Sequence, residues 1–185
     1  KEHASNIVGI GEIGLDYHWV RDPKQKERCE LIFAQFIELA NSLRMPVVIH
    51  TRNTTNAMSG EGNAIDDALK ILADNDARNV MMHCFSGNER QMEYALGQGY
   101  MISFATIITR SEKHKRLAKK CPMDKMLLET DAPWLDPDIK PIPGQTLMTN
   151  RPWKIDRSAM LIAELKSMTP LEVLQQTAKN AKEFF

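Results

Sequence analysis

The sequence has no excess of either charge, no long apolar run and no paired cysteines. Each absence removes a class of function. Lysine plus arginine number 24, and aspartate plus glutamate also number 24. A broad basic surface for nucleic acid is therefore missing, and any polyanion site must be local. No stretch reaches the apolar length needed to span a bilayer. The short apolar run within residues 1–15 carries Glu12, which does not fit a secretory signal. Cys29, Cys84 and Cys121 are odd in number and far apart, with no CxxC pair to suggest structural zinc. Free thiols in a reducing compartment are expected, which places the protein in the cytoplasm.

What is present is an alternation of short β-like runs and longer helical patterns. Residues 7–12, 46–50, 79–85, 100–104 and 125–131 read as strands. Between them, 23–44, 64–74, 88–98 and 111–120 read as helices. In the first, Leu31, Ile32, Phe36, Leu39 and Leu43 are the expected apolar face. A proline-rich stretch, 132–152, is long for a loop in a compact domain, and so a candidate functional loop. Two helices close the chain, the second opened by Thr169, Pro170 and Glu172 as a capping box. This order predicts an α/β domain over residues 1–185 with parallel strands and right-handed crossovers.

The informative residues are the polar ones inside these runs. Glu12 ends the first expected strand, His50 closes PVVIH, His83 lies near the end of NVMMHCF, and Asp131 closes KMLLETD. A buried carboxylate needs a partner. In parallel α/β folds, ligands collect at the carboxyl ends of strands. Imidazole and carboxylate together suit a divalent metal, and a bound metal makes hydroxide available at neutral pH. Taken singly, each histidine also reads as a structural residue, and Asp131 as a helix cap. Four such residues at four strand ends point to a metal site.

At these residues the chain resembles the TatD family of metal-dependent deoxyribonucleases. The matching stretches are GEIGLDYH (11–18), PVVIHTR (46–52), MHCFSG (82–87), LLETDAPWL (127–135) and TAKNAKEFF (177–185). The resemblance implies a TIM-type (β/α)8 barrel that binds one or two divalent ions (zinc, magnesium or manganese) and hydrolyses phosphodiester bonds in DNA. It implies Glu12 as a bridging carboxylate, His50 and His83 as ligands, and Asp131 as a ligand that positions the attacking water. Arg52 is expected to meet a phosphate, and Ser86 to offer its hydroxyl to the substrate. The family's first strand carries an H-x-H motif, and this sequence has none. Its five strands then correspond to strands four to eight of the barrel, and the expectation is a chain incomplete at its N-terminus.

Weaker signals have two readings each. The basic run 110–120 either steers a phosphate backbone or is a solvated helix surface. Tyr17, Trp134 and Trp153 either stack on unpaired bases or pack in loops. Alternation puts Cys84 on the face opposite His83, and Glu129 on the face of Asp131. Asp16 reads as a cap or a loop ligand. Two rival functions stay open. One is a hydrolase of a small ester, amide or lactone; the other is a non-catalytic remnant of the fold.

Overall fold

The structure is a computed structural model, and it describes residues 4–54, 63–140, 145 and 148–185. Part of the expected loop 132–152 lies outside the described residues. The chain forms two compact units, one running to Met101 and including Phe184–Phe185, the other Ile102–Glu183.

The first unit contains β1 (Ile10–Asp16), α1 (Pro23–Leu43), β2 (Val47–Arg52), α2 (Ala64–Asp74), β3 (Val80–Met82) and α3 (Glu89–Gly97). β1 pairs parallel with β2, and β2 parallel with β3. The period of two divides β2 cleanly. Val47, Ile49 and Thr51 are buried, while Val48, His50 and Arg52 lie on the more open face. The apolar face packs on the helices through Phe33, Ile37, Leu69 and Leu72, all buried. Three helices start on side-chain caps: Asp22 accepts from the Gln25 N–H, Asn63 from Ile65 and Asp66, and Asn88 from Gln91. Gln91 also donates to Asp66 at 2.9 Å, tying α3 to α2.

Several sequence expectations change here. β2 runs on to Arg52, so His50 lies inside it, and β3 ends at Met82, so His83 follows the strand. β1 runs on to Asp16, so Glu12 lies inside the strand and does not end it. On α1 the buried stripe is Phe33, Ile37 and Ala40, whereas Leu31, Ile32 and Phe36 are exposed. Both stripes have helical spacing, with Ile32, Phe36 and Leu39 each one residue before Phe33, Ile37 and Ala40. Periodicity cannot say which of two adjacent apolar stripes meets the core.

In the second unit, β4 (Met101–Phe104) and β5 (Met126–Leu128) pair parallel, Ile102 with Met126 and Phe104 with Leu128. The helices are α4 (Glu112–Lys120), α5 (Ile155–Lys166) and α6 (Pro170–Phe184). Lys166 donates to the carbonyls of Lys119 and Cys121, closing the end of α4 onto α5. Burial pushes the Cys121 thiol up to about 12, so it packs as an inert group. The capping box opening α6 is present: Thr169 Oγ1 accepts from the Glu172 N–H, and the Glu172 carboxylate accepts from the Thr169 N–H. After β5 the chain is stitched by a buried amide. Asn150 Nδ2 donates to the carbonyls of Thr130 and Trp134, at 2.7 and 2.6 Å, and Thr106 donates to those of Thr130 and Leu135.

Candidate metal centre

β1 and β2 build the site through an irregular register. Ile10 pairs with Val47 and Ile13 with Ile49, so β1 holds one extra residue in the stretch containing Glu12. Such a bulge re-aims a side chain. Beyond it Gly14 stands beside His50 and Asp16 beside Arg52. Gly14 has φ +145°, and a Cβ there would lie 2.0 Å from the carbonyl oxygen of His50. Glycine is what lets the two strands approach at this point. His83 follows β3, and its N–H donates to the Ile49 carbonyl at 3.0 Å, which carries it to the same end of β2.

These elements bring Glu12, His50 and His83 together, with one donor atom of each within 4.8 Å of the others. His50 Nδ1 is 3.6 Å from Glu12 Oε2, and His83 Nε2 is 3.6 Å from Glu12 Oε1. Both distances exceed a good hydrogen bond. They match the edge of a tetrahedral coordination shell, since two ligands about 2.1 Å from one ion stand roughly 3.4 Å apart. Each pair is spaced to share an ion rather than to bond directly, and the two histidines face different oxygens of Glu12. Two imidazole nitrogens and a carboxylate suit zinc and neighbouring transition metals. The Glu12 side chain is 52% exposed, His50 30% and His83 10%, so the cluster opens to solvent on the glutamate side.

Asp16 stands behind His50. Its Oδ2 lies 3.1 Å from His50 Nε2 and accepts from Arg52 Nε at 3.0 Å and Nη2 at 2.7 Å. Its Oδ1 accepts from the His18 N–H at 3.0 Å. Burial pushes the Asp16 carboxyl up. The hydrogen bonds from His50 and Arg52, with the guanidinium charge, outweigh that and hold it below the usual carboxylate range.

Asp16 is the residue that sequence reasoning undervalued. The available signal was its spacing from Glu12: residues 12, 14 and 16 share one face of a strand. Recognising it required the strand to run past Glu12. Arg52 is present at the end of β2, with two of its N–H groups engaged by Asp16. Ser86 is half-buried in the segment after β3. Asp131 belongs to the second unit, where it has φ +56° in a turn and its carbonyl accepts from the Trp134 N–H. Since β5 ends at Leu128, strand alternation does not relate Glu129 to Asp131.

Tyr17 is buried, and its hydroxyl is 2.8 Å from Glu30 and 2.9 Å from Asp67. Of its two sequence readings the structure takes packing. Trp134 and Trp153 are exposed. In the basic run, Arg110 donates to the carbonyls of Asp136 and Ile139, and Lys115 pairs with Glu112.

Comparison with known proteins bears on this geometry. The family described as TatD related DNase matches residues 2–185. An uncharacterized metal-dependent hydrolase of Bacillus subtilis, YabD, is 36% identical over 185 residues, covering 97% of this chain and 65% of that protein. The human protein named deoxyribonuclease TATDN3 is 29% identical over 187 residues, covering 100% of this chain and 62% of that protein. The chain thus spans somewhat under two thirds of the length of these curated relatives. Among solved structures, the Escherichia coli TatD homolog YJJV superposes with a TM-score of 0.81 at 28% identity, covering 100% of this chain and 67% of that one. A TatD-family hydrolase of Entamoeba histolytica gives 0.78 at 19% identity, covering 100% of this chain and 65% of that one. These likenesses show a TIM-type α/β fold. Among the described residues, no helix is long and apolar enough to cross a membrane.

Proposed function

We propose, from the premise that this chain belongs to the TatD-related DNase family, that it carries the metal-binding part of a hydrolase that cleaves phosphodiester bonds in DNA. The observation that carries this reading is the trio Glu12, His50 and His83, whose donor atoms stand at ligand spacing. When bound, a divalent ion supplies charge against a phosphoryl oxygen and acidifies a water molecule for attack. The chain's own residues supply the rest. Glu12 offers both carboxylate oxygens, one toward each histidine. Arg52 has five N–H donors, and those not spent on Asp16 are available for a phosphate oxygen. Ser86 offers a hydroxyl to the substrate, and Asp131 serves as a ligand that positions the attacking water. These last two roles, and DNA as the substrate, come from the family motif. The name of the human relative, a deoxyribonuclease, supports DNA. The names of others, metal-dependent hydrolases, support the wider class.

The test is to titrate the purified protein with zinc, manganese or magnesium. It is then assayed on single- and double-stranded DNA beside a panel of small esters, amides and lactones. The expected result is an ion bound through Glu12, with metal-dependent DNA cleavage that Glu12→Gln abolishes. Turnover of the small substrates alone would move the assignment to a different hydrolase. Metal uptake with no turnover of any substrate would leave a binding module.

A further inference from the structure

We infer that Asp16 is the positioning residue of the metal centre: it fixes which nitrogen of His50 is free to bind an ion. The inference rests on the metal-binding reading above and needs no assumption about the substrate. A neutral imidazole carries one N–H and one lone pair, and the choice between its two nitrogens is set by what each faces. His50 Nε2 faces Asp16 Oδ2 at 3.1 Å. A carboxylate only accepts, so that nitrogen must donate. The lone pair is then left on Nδ1, the atom 3.6 Å from Glu12 Oε2. In the opposite tautomer, Nε2 would turn its lone pair on the Asp16 oxygen, and the Nδ1 proton would occupy the ion's place.

Asp16 is itself held for this task. Arg52 donates to the same Oδ2 through Nε and Nη2, and the His18 N–H holds Oδ1. The backbone carbonyl of Asp16 also accepts from the Val20 N–H at 3.0 Å, which closes the turn leaving β1. With both oxygens and the carbonyl engaged, the carboxylate cannot swing away without breaking several bonds. A histidine ligand steadied by a carboxylate on its other nitrogen is a more basic and better oriented donor. Losing such a partner typically costs 10- to 100-fold in metal affinity.

The test begins on the unaltered protein, stripped of metal. Long-range proton–nitrogen NMR of the imidazoles reads the tautomer directly, with His50→Gln assigning the signal. The expected result is a protonated Nε2 and a lone pair on Nδ1; a protonated Nδ1 overturns the proposal. Zinc titration of Asp16→Ala and Asp16→Asn follows. Asp16→Ala is expected to mix the tautomers and weaken zinc 10- to 100-fold. Asp16→Asn keeps an acceptor oxygen and is expected to recover part of the affinity. Affinity within twofold of the original in both variants refutes the role. If Asp16→Ala fails to fold, the tautomer measurement and Asp16→Asn still decide. If the unaltered protein takes up no zinc, manganese or magnesium, the metal reading falls and this inference with it. Zinc uptake indifferent to Asp16 removes the inference alone.

Discussion

Replacing Gly14 by alanine tests how the two strands form the site. The added Cβ would lie 2.0 Å from the His50 carbonyl oxygen, where a carbon and an oxygen normally stand no closer than about 3.3 Å. More than ~1 Å must therefore be absorbed, and the obstacle is backbone rather than a side chain that could turn aside. β1 must lift from β2 between two bonds that pin it, Ile10 N–H to the Pro46 carbonyl at 2.9 Å and Tyr17 N–H to the Arg52 carbonyl at 2.8 Å. The positive φ adds about 1–3 kcal/mol of strain for any residue with a side chain, and each lost ladder bond about 1 kcal/mol. The total of roughly 2–5 kcal/mol should lower the melting temperature by about 5–15 °C in a chain of this size. Because ligand distances tolerate only about 0.2 Å, the same displacement should weaken zinc at least tenfold. Gly97→Ala is the control. Nothing lies within 4 Å of a Cβ there, and the change should be neutral or raise stability by about 0.5–1 kcal/mol. Thermal melts and zinc titrations of both variants decide the matter. A Gly14→Ala protein that melts within about 2 °C of the original and binds zinc equally well would refute the reasoning.

Two further predictions concern buried polar groups. Tyr17→Phe leaves Glu30 and Asp67 without the hydroxyl they share; urea unfolding should show a loss of about 1–3 kcal/mol, and an unchanged midpoint would mean that the hydroxyl is not holding α1 and α2 to the end of β1. In the second unit, burial first, and then the neighbouring Lys113 charge, push His114 down to about 4, so the fold needs it neutral. The unfolded chain takes up that proton below about pH 6.5, so the stabilisation is complete above that pH. It is lost as the pH falls toward 4, by an amount on the order of 3 kcal/mol. His114→Gln should flatten that part of the acid-unfolding curve; parallel curves for the two proteins would show that His114 is not the group responsible.

The existence and order of the strands were legible because each is a short β-branched or apolar run bounded by turn residues. The helices were legible from apolar residues at helical spacing and, in the last, from the capping box at Thr169. Glu12, His50 and His83 were legible as polar residues set in those runs. What a single strand's pattern could not contain was the pairing. The extra residue near Glu12 exists only relative to β2, and so does the opposition of Gly14 to His50. Asp16 acquires its meaning from that register, because only there does its carboxylate meet Nε2 of His50 and the fork of Arg52. The exposed stripe of α1 is the complementary case: local periodicity was correct, and the choice of face belonged to tertiary packing.

The same alternation that hides these relations explains how core and site coexist on two strands. On β1, Ile13 and Leu15 pair with Ile49 and Thr51 of β2, and Leu15, Ile49 and Thr51 are buried. On the opposite face, Gly14 meets His50 and Asp16 meets Arg52. A one-residue slip of β1 would exchange the two sets, driving Asp16 toward the helices and Leu15 toward solvent, at the cost of a buried charge and lost apolar burial. The core therefore fixes the register, and the register fixes the candidate metal site. Glu12 lies in the stretch that holds the extra residue, and its carboxylate faces His50 of β2 and His83 after β3. The spacing of the candidate ligands is thus set by apolar side chains on the far face of the same strands.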